Sequence, residues 1–74
     1  MIIRFDNEYI NYNNWRKVIN NQRDEHRSLN TESWFKWFEK EWQCKITIYE
    51  NMMESMEFDD KSYCIAVLRF GPPD

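Results

Sequence analysis

Arg16, Asn20, Arg23 and Arg27 recur at i, i+4, i+7 and i+11, a spacing that lays them along one ridge of a helix. Guanidinium forks in such a row hold successive phosphates or a row of carboxylates. The ridge is therefore a candidate docking strip for RNA or for an acidic protein surface. Its plain alternative is a solvated helix face with Arg23 or Arg27 paired to Asp24, Glu25 or another acid. A second cluster is acidic: Glu50, Glu54, Glu57, Asp59 and Asp60 interleave with Met52, Met53 and Met56. Methionine is flexible and polarisable and recurs on surfaces that adapt to partners. Flanked by carboxylates, these side chains suit a basic protein and could occupy a groove meant for nucleic acid. The alternative gives Met56 to the core, Asp59 to a helix cap and the rest to a solubilising hairpin. Trp37 and Tyr49 make the third candidate, an exposed aromatic patch with the chemistry of an interface hot spot. Homodimer contact, or exposure without function, explains them equally well.

Reactive chemistry finds little support. His26 has no Ser or Cys nucleophile at a recognisable spacing, and it continues the apolar face of its helix as a hydrogen-bonded structural residue. Asp59 and Asp60 are adjacent at a helix start and point different ways, which suits a cap better than acid/base work. Cys44 and Cys64 stand twenty apart without a Cys-x-x-Cys pair, so a zinc site would have to recruit carboxylates. In a reducing compartment both thiols are expected to act as small buried hydrophobes. The lone Gly71 sits beside Pro72-Pro73, which removes the Gly-rich loop that cradles phosphate. No cofactor and no metal are expected.

The elements that must position these groups follow from composition and period. Seventy-four residues make a single domain that buries roughly 60% of its unfolded surface and nets about 3 to 5 kcal/mol. Four Trp, five Phe and four Tyr offset the small size with bulk. No apolar run approaches the roughly 20 residues that span a bilayer, and the start lacks the basic and apolar parts of a signal peptide. A cytoplasmic protein without membrane contact is expected. Charge is divided: residues 1–30 carry five basic and four acidic groups, residues 51–74 two and five. Such a split suits an interaction protein with two electrostatic faces better than a general nucleic-acid binder.

Two phrases repeat a junction. An alternating apolar stretch is followed by Phe5-Asp6 and again by Phe58-Asp59, each predicting an N-cap aspartate and a hydrophobic staple, Phe5 with Ile10 and Phe58 with Tyr63. Residues 1–5 read as a strand. A helix, kinked around Asn13-Asn14, then runs to about Arg27 with Tyr12, Trp15, Val18, Ile19, Gln22 and His26 inward. After a turn at 28–31, Thr31 caps a second helix reaching about Gln43, its stripe Trp34, Phe35, Phe38 and Trp42 forming the heart of the core. Trp37 lies beside that stripe, and Lys36, Glu39 and Lys40 face water. Residues 44–49 alternate as a strand with Cys44, Ile46 and Ile48 inward. Residues 50–54 connect it to a short third strand, hairpin-paired with it and holding Met56 and Phe58 inward. Residues 63–70 read as strand or helix. Asp59 before them, Arg69 in the last turn, then Gly71 and proline favour helix. The order β-α-α-β-β-α predicts an α+β domain, an antiparallel sheet of about three strands with helices on one face.

Eight Asn and seven Ile beside one Ala are what AT-rich genes encode. With the short acidic form, the Trp-Phe-x-Trp-Phe run at 34–38 and the Phe-Asp-Asp-Lys-Ser-Tyr…Leu-Arg-Phe-Gly ending, the chain resembles the small early or accessory proteins of T4-like tailed phages. That resemblance implies a class of proteins that bind and block host enzymes such as nucleases, polymerase subunits and defence components, in the host cytoplasm. It carries over no site residue. The expectation is a non-enzymatic protein that inhibits or redirects a host protein by surface occlusion. The alternatives are a small RNA-binding module built on the arginine ridge and a structural homo-oligomer.

Overall fold

The computed structural model of the chain describes residues 1–5 and 12–74. Its elements are β1 (Ile2–Arg4), α1 (Asn13–Glu25), α2 (Thr31–Trp42), β2 (Lys45–Tyr49), β3 (Met52–Glu57) and α3 (Asp60–Phe70). The sheet is antiparallel in the order β1-β3-β2, which is the expected α+β arrangement. Ile3, Met56 and Ile46 stand in register across the three strands, and all three are buried with the helices' rings. The opposite face carries Arg4, Lys45, Thr47 and Glu57, all exposed. Helices therefore cover one face of the sheet, and period-2 alternation explains why the residues between the core positions, the exposed Ile2 and Tyr49 among them, fall on the other.

Trp15 is the node of the core. It is fully buried, and its ring lies 5.2 Å from Trp42, 5.6 Å from Phe58 and 5.9 Å from Tyr63. Trp34, Phe35, Phe38 and Trp42 are buried along α2, as their spacing requires. A buried indole N–H needs an acceptor: Trp15 Nε1 donates to the Gly71 carbonyl at 2.7 Å, and Trp42 Nε1 donates to Gln22 Oε1 at 2.8 Å.

Residues 63–70 are helix, as the punctuation indicates. Asp59 accepts from the Ser62 backbone N–H at 2.7 Å, Gly71 closes the helix at φ 81°, and Phe58 meets Tyr63 edge-on at 6.0 Å, completing the staple. Hydrogen bonds from the Ser62 backbone and side chain hold the Asp59 carboxyl below its ordinary 3.8. Because the folded value lies below the unfolded one, this cap contributes fully above the unfolded pKa, and its contribution is lost as pH falls through the folded pKa. Asp59→Asn, an acceptor that does not titrate, should make acid unfolding followed by circular dichroism less steep in pH. An unchanged slope would uncouple the cap from acid stability.

Several boundaries differ from expectation, each for a local reason. The Asp6 cap and the Phe5–Ile10 staple lie outside the described residues. Helix α1 has Tyr12 as N-cap without a side-chain acceptor; instead the Pro73 carbonyl accepts from the N–H groups of Asn14 and Trp15 at 2.9 and 3.3 Å. The helix stops at Glu25 rather than Arg27, with His26 as C-cap. Asn30, not Thr31, caps α2, its Oδ1 accepting from Ser33 N at 2.8 Å. Glu39 is half-buried rather than turned to water, because its carboxylate accepts the outward-facing Ile46 N–H at 3.0 Å, covering part of an edge strand.

The hairpin departs most. The connection is two residues, Glu50 and Asn51, both left-handed at φ 51° and 63°, the signature of a type I′ turn. The register shifts after Thr47, so that Thr47 faces Ser55 and Ile48 faces Met53, leaving Glu54 as a bulge. Ile48 is 46% exposed, not a core residue. A left-handed glutamate costs roughly 1 to 2 kcal/mol. Replacing Glu50-Asn51 by Asn-Gly, the favoured I′ pair, is expected to stabilise the fold by about 1 kcal/mol, read as a higher urea midpoint. A lower midpoint would contradict the turn assignment.

Candidate docking groove

Ile19, one turn after Trp15, sits on the side of α1 that looks toward α2 and the hairpin. Here a cleft of about 450 Å³ opens, lined on α1 by Arg16, Ile19, Asn20 and Arg23, on α2 by Thr31, Trp34 and Phe35, and on the hairpin by Asn51, Met52 and Met53, with Phe5 and Tyr12 at one end. The floor is apolar. Trp34 and Phe35 are core residues that show only an edge, while Met52 is 71% exposed and free to repack.

The two arginines are pre-positioned by aromatic rings. Arg16 Nη2 donates to Tyr12 Oη at 2.9 Å, and its guanidinium lies 4.8 Å from the Tyr12 ring centroid. Tyr12 Oη in turn donates to the Phe5 carbonyl at 2.9 Å. Arg23 Nη1 donates to the carbonyls of His26 and Leu29 at 3.3 and 3.2 Å, with its guanidinium 5.3 Å over Trp34. Arg23 thus closes the turn after α1. Neither ion pair among the described residues, Lys36 with Glu32 and Arg69 with Glu41, involves the groove.

The structure joins residues that sequence reading set apart. Arg16, Asn20 and Arg23 share one groove with Met52 and Met53, although the ridge and the methionines were assigned to different partners. Arg27 is exposed beyond the end of α1 and does not line the groove. Glu54 is exposed at the bulge, and Asp60 is exposed in the first turn of α3. Glu57 faces Lys45 across β2 and β3 and borders a separate shallow hollow with Lys36, Glu39, Lys40 and Asp59. Trp37 and Tyr49 form no common patch. Trp37 is half-buried, its ring tilted 4.1 Å from His26 and stacked 5.3 Å from Trp34. Tyr49, 66% exposed, has no ring contact among the described residues and sits opposite Met52 at the hairpin end. Tyr12, Ile19, Trp34 and Phe35 were read as core alone; only the hairpin's true register shows that their outer edges face a groove.

Among the described residues no cluster of metal-ligating side chains accompanies this surface. His26 Nδ1 lies 2.9 Å from the Gln22 carbonyl and so carries its hydrogen there, a structural role. Among the described residues no helix is long and apolar enough to cross a membrane. The two thiols differ, contrary to expectation. Burial, reinforced by the Glu39 carboxylate, pushes the Cys44 thiol up to about 12, whereas Cys64 is exposed on α3. Thiolate is the reacting form, so iodoacetamide at pH 8 is expected to alkylate Cys64 and spare Cys44 in the native protein. Equal labelling, mapped by mass spectrometry, would contradict this burial. No protein-family model, curated protein or solved structure matches this chain.

Proposed function

We propose that this chain is a non-enzymatic binding protein that seats a partner protein on the groove between α1 and the hairpin and acts by covering the partner's surface. The observation that carries this reading is the meeting, on one face, of ring-braced arginines with an adaptable methionine wall. Arg, Met and Tyr are the residue types enriched at protein interfaces, and Ile48, opposite Met53 and 46% exposed, extends the apolar wall along the hairpin. The likeness to small phage proteins adds the setting: a bacterial host protein that is inhibited or redirected when covered.

RNA is the weaker reading. Base recognition in the groove needs open ring faces for stacking, but Trp34 and Phe35 are buried and Arg16 lies over the Tyr12 ring; the exposed Tyr49 ring points to the other face of the hairpin from Met53. Tagged protein incubated with bacterial lysate tests the proposal, with Met52→Glu in parallel. A stoichiometric protein is expected on the wild type, insensitive to nuclease and absent from Met52→Glu. Recovery of nucleic acid alone, or of the same protein on both, would overturn it.

A further inference from the structure

Among the described residues the groove's charge is uncompensated, and that property points to its occupant. The separate shallow hollow is lined by three cations, Lys36, Lys40 and Lys45, and three carboxylates, Glu39, Glu57 and Asp59, so its lining carries no excess of either charge. In the groove the charged lining residues are Arg16 and Arg23, and neither is ion-paired among the described residues. A guanidinium has five N–H donors; the bonds above engage one nitrogen of each, leaving part of each fork for a carboxylate. Seven residues apart on a helix, the two side chains start roughly 10 Å from one another along its axis. Between them lie Ile19 and Asn20, facing Met52 and Met53 across the gap.

Building on the function proposed above, we infer that the groove takes an acidic segment of the partner protein, with carboxylates toward Arg16 and Arg23 and an aliphatic or aromatic side chain between Ile19 and the Met52–Met53 wall. Because the rings already hold the guanidiniums, little side-chain freedom is left to lose on binding. Attraction between unlike charges also steers encounter, and it weakens as salt rises.

Two synthetic peptides differing only in charge test the inference: Ac-Glu-Leu-Glu-Trp-Leu-Glu-amide and its counterpart with Lys at every Glu. Titrated into isotope-labelled protein at low salt, the acidic peptide is expected to shift the amide resonances of Arg16, Ile19, Asn20, Met52 and Met53, and the basic one to leave them in place. Arg16→Glu should reduce the acidic peptide's affinity at least tenfold and let the basic peptide bind. Equal shifts by both peptides, no shift by the acidic one, or concentration-dependent shifts of the protein alone, which would mean that a second copy fills the groove, overturn the inference. The two proposals fail separately. A lysate partner lost with Met52→Glu but kept with Arg16→Glu would leave the binding function standing and remove the acidic occupant.

Discussion

Trp15→Ala is expected to leave the chain unfolded at 25 °C. Trp15 is fully buried, and its ring meets Trp42, Phe58 and Tyr63, so one side chain ties α1 to α2 and to the start of α3. Truncating a buried Trp to Ala costs about 3 to 5 kcal/mol, as much as a domain of this size holds in total. The change also leaves the Gly71 carbonyl without its donor, and the tail that caps α1 through Pro73 loses its anchor. Trp15→Phe is the milder change, since it keeps a six-membered ring while losing the N–H together with the pyrrole part of the indole; a loss of about 1 to 3 kcal/mol is expected. Far-ultraviolet circular dichroism with a urea titration reads both. A cooperative transition in Trp15→Ala near the wild-type midpoint would show that the core is not organised around this residue.

Met52→Glu is expected to abolish partner binding without changing the fold. The side chain is 71% exposed at the end of a hairpin, where substitutions shift stability by no more than about 0.5 kcal/mol. At the centre of a covered interface, an added carboxylate loses an apolar contact and is desolvated without a partner. Such hot-spot losses reach about 2 kcal/mol or more, roughly a thirtyfold rise in Kd. Calorimetry against the captured partner measures the affinity, and the urea midpoint checks the fold. Arg23 would serve poorly here, because its guanidinium also holds the His26 and Leu29 carbonyls. A change at Arg23 mixes lost binding with a loosened turn, whereas Arg16, whose guanidinium bonds only Tyr12 among the described residues, reports on binding.

What the sequence made legible was whatever its punctuation and period determine locally. Asp59, Arg69 and Gly71 bracket α3, and Trp34, Phe35, Phe38 and Trp42 mark the buried stripe of α2; the structure has both. The hairpin pairing was legible, but its two-residue turn was hidden because Glu50-Asn51 carries no glycine, and its register because nothing local in the sequence marks the bulge at Glu54. The cap of α1 was hidden for a different reason: its acceptor, Pro73, is remote in sequence, and no local pattern reports a long-range bond.

The candidate site was legible in halves. The ridge of Arg16, Asn20 and Arg23 and the methionines 52 and 53 both stood out, but as separate surfaces for partners of opposite charge. Only the fold brings the two together. Strand geometry and the bulge divide the acidic segment, sending Met53 toward the groove while Glu54 and Glu57 stay exposed. Arg27 left the ridge because the helix ends at Glu25.

Amide hydrogen exchange on the protein with its captured partner most directly tests the claim that this groove is the working surface. Slower exchange is expected along α1 from Arg16 to Arg23 and in the hairpin from Tyr49 to Met53, with the outer face of α3 around Cys64 unchanged. Protection confined to α3 or to the hollow around Lys36 and Lys40, with the groove exchanging as in the free protein, would contradict it.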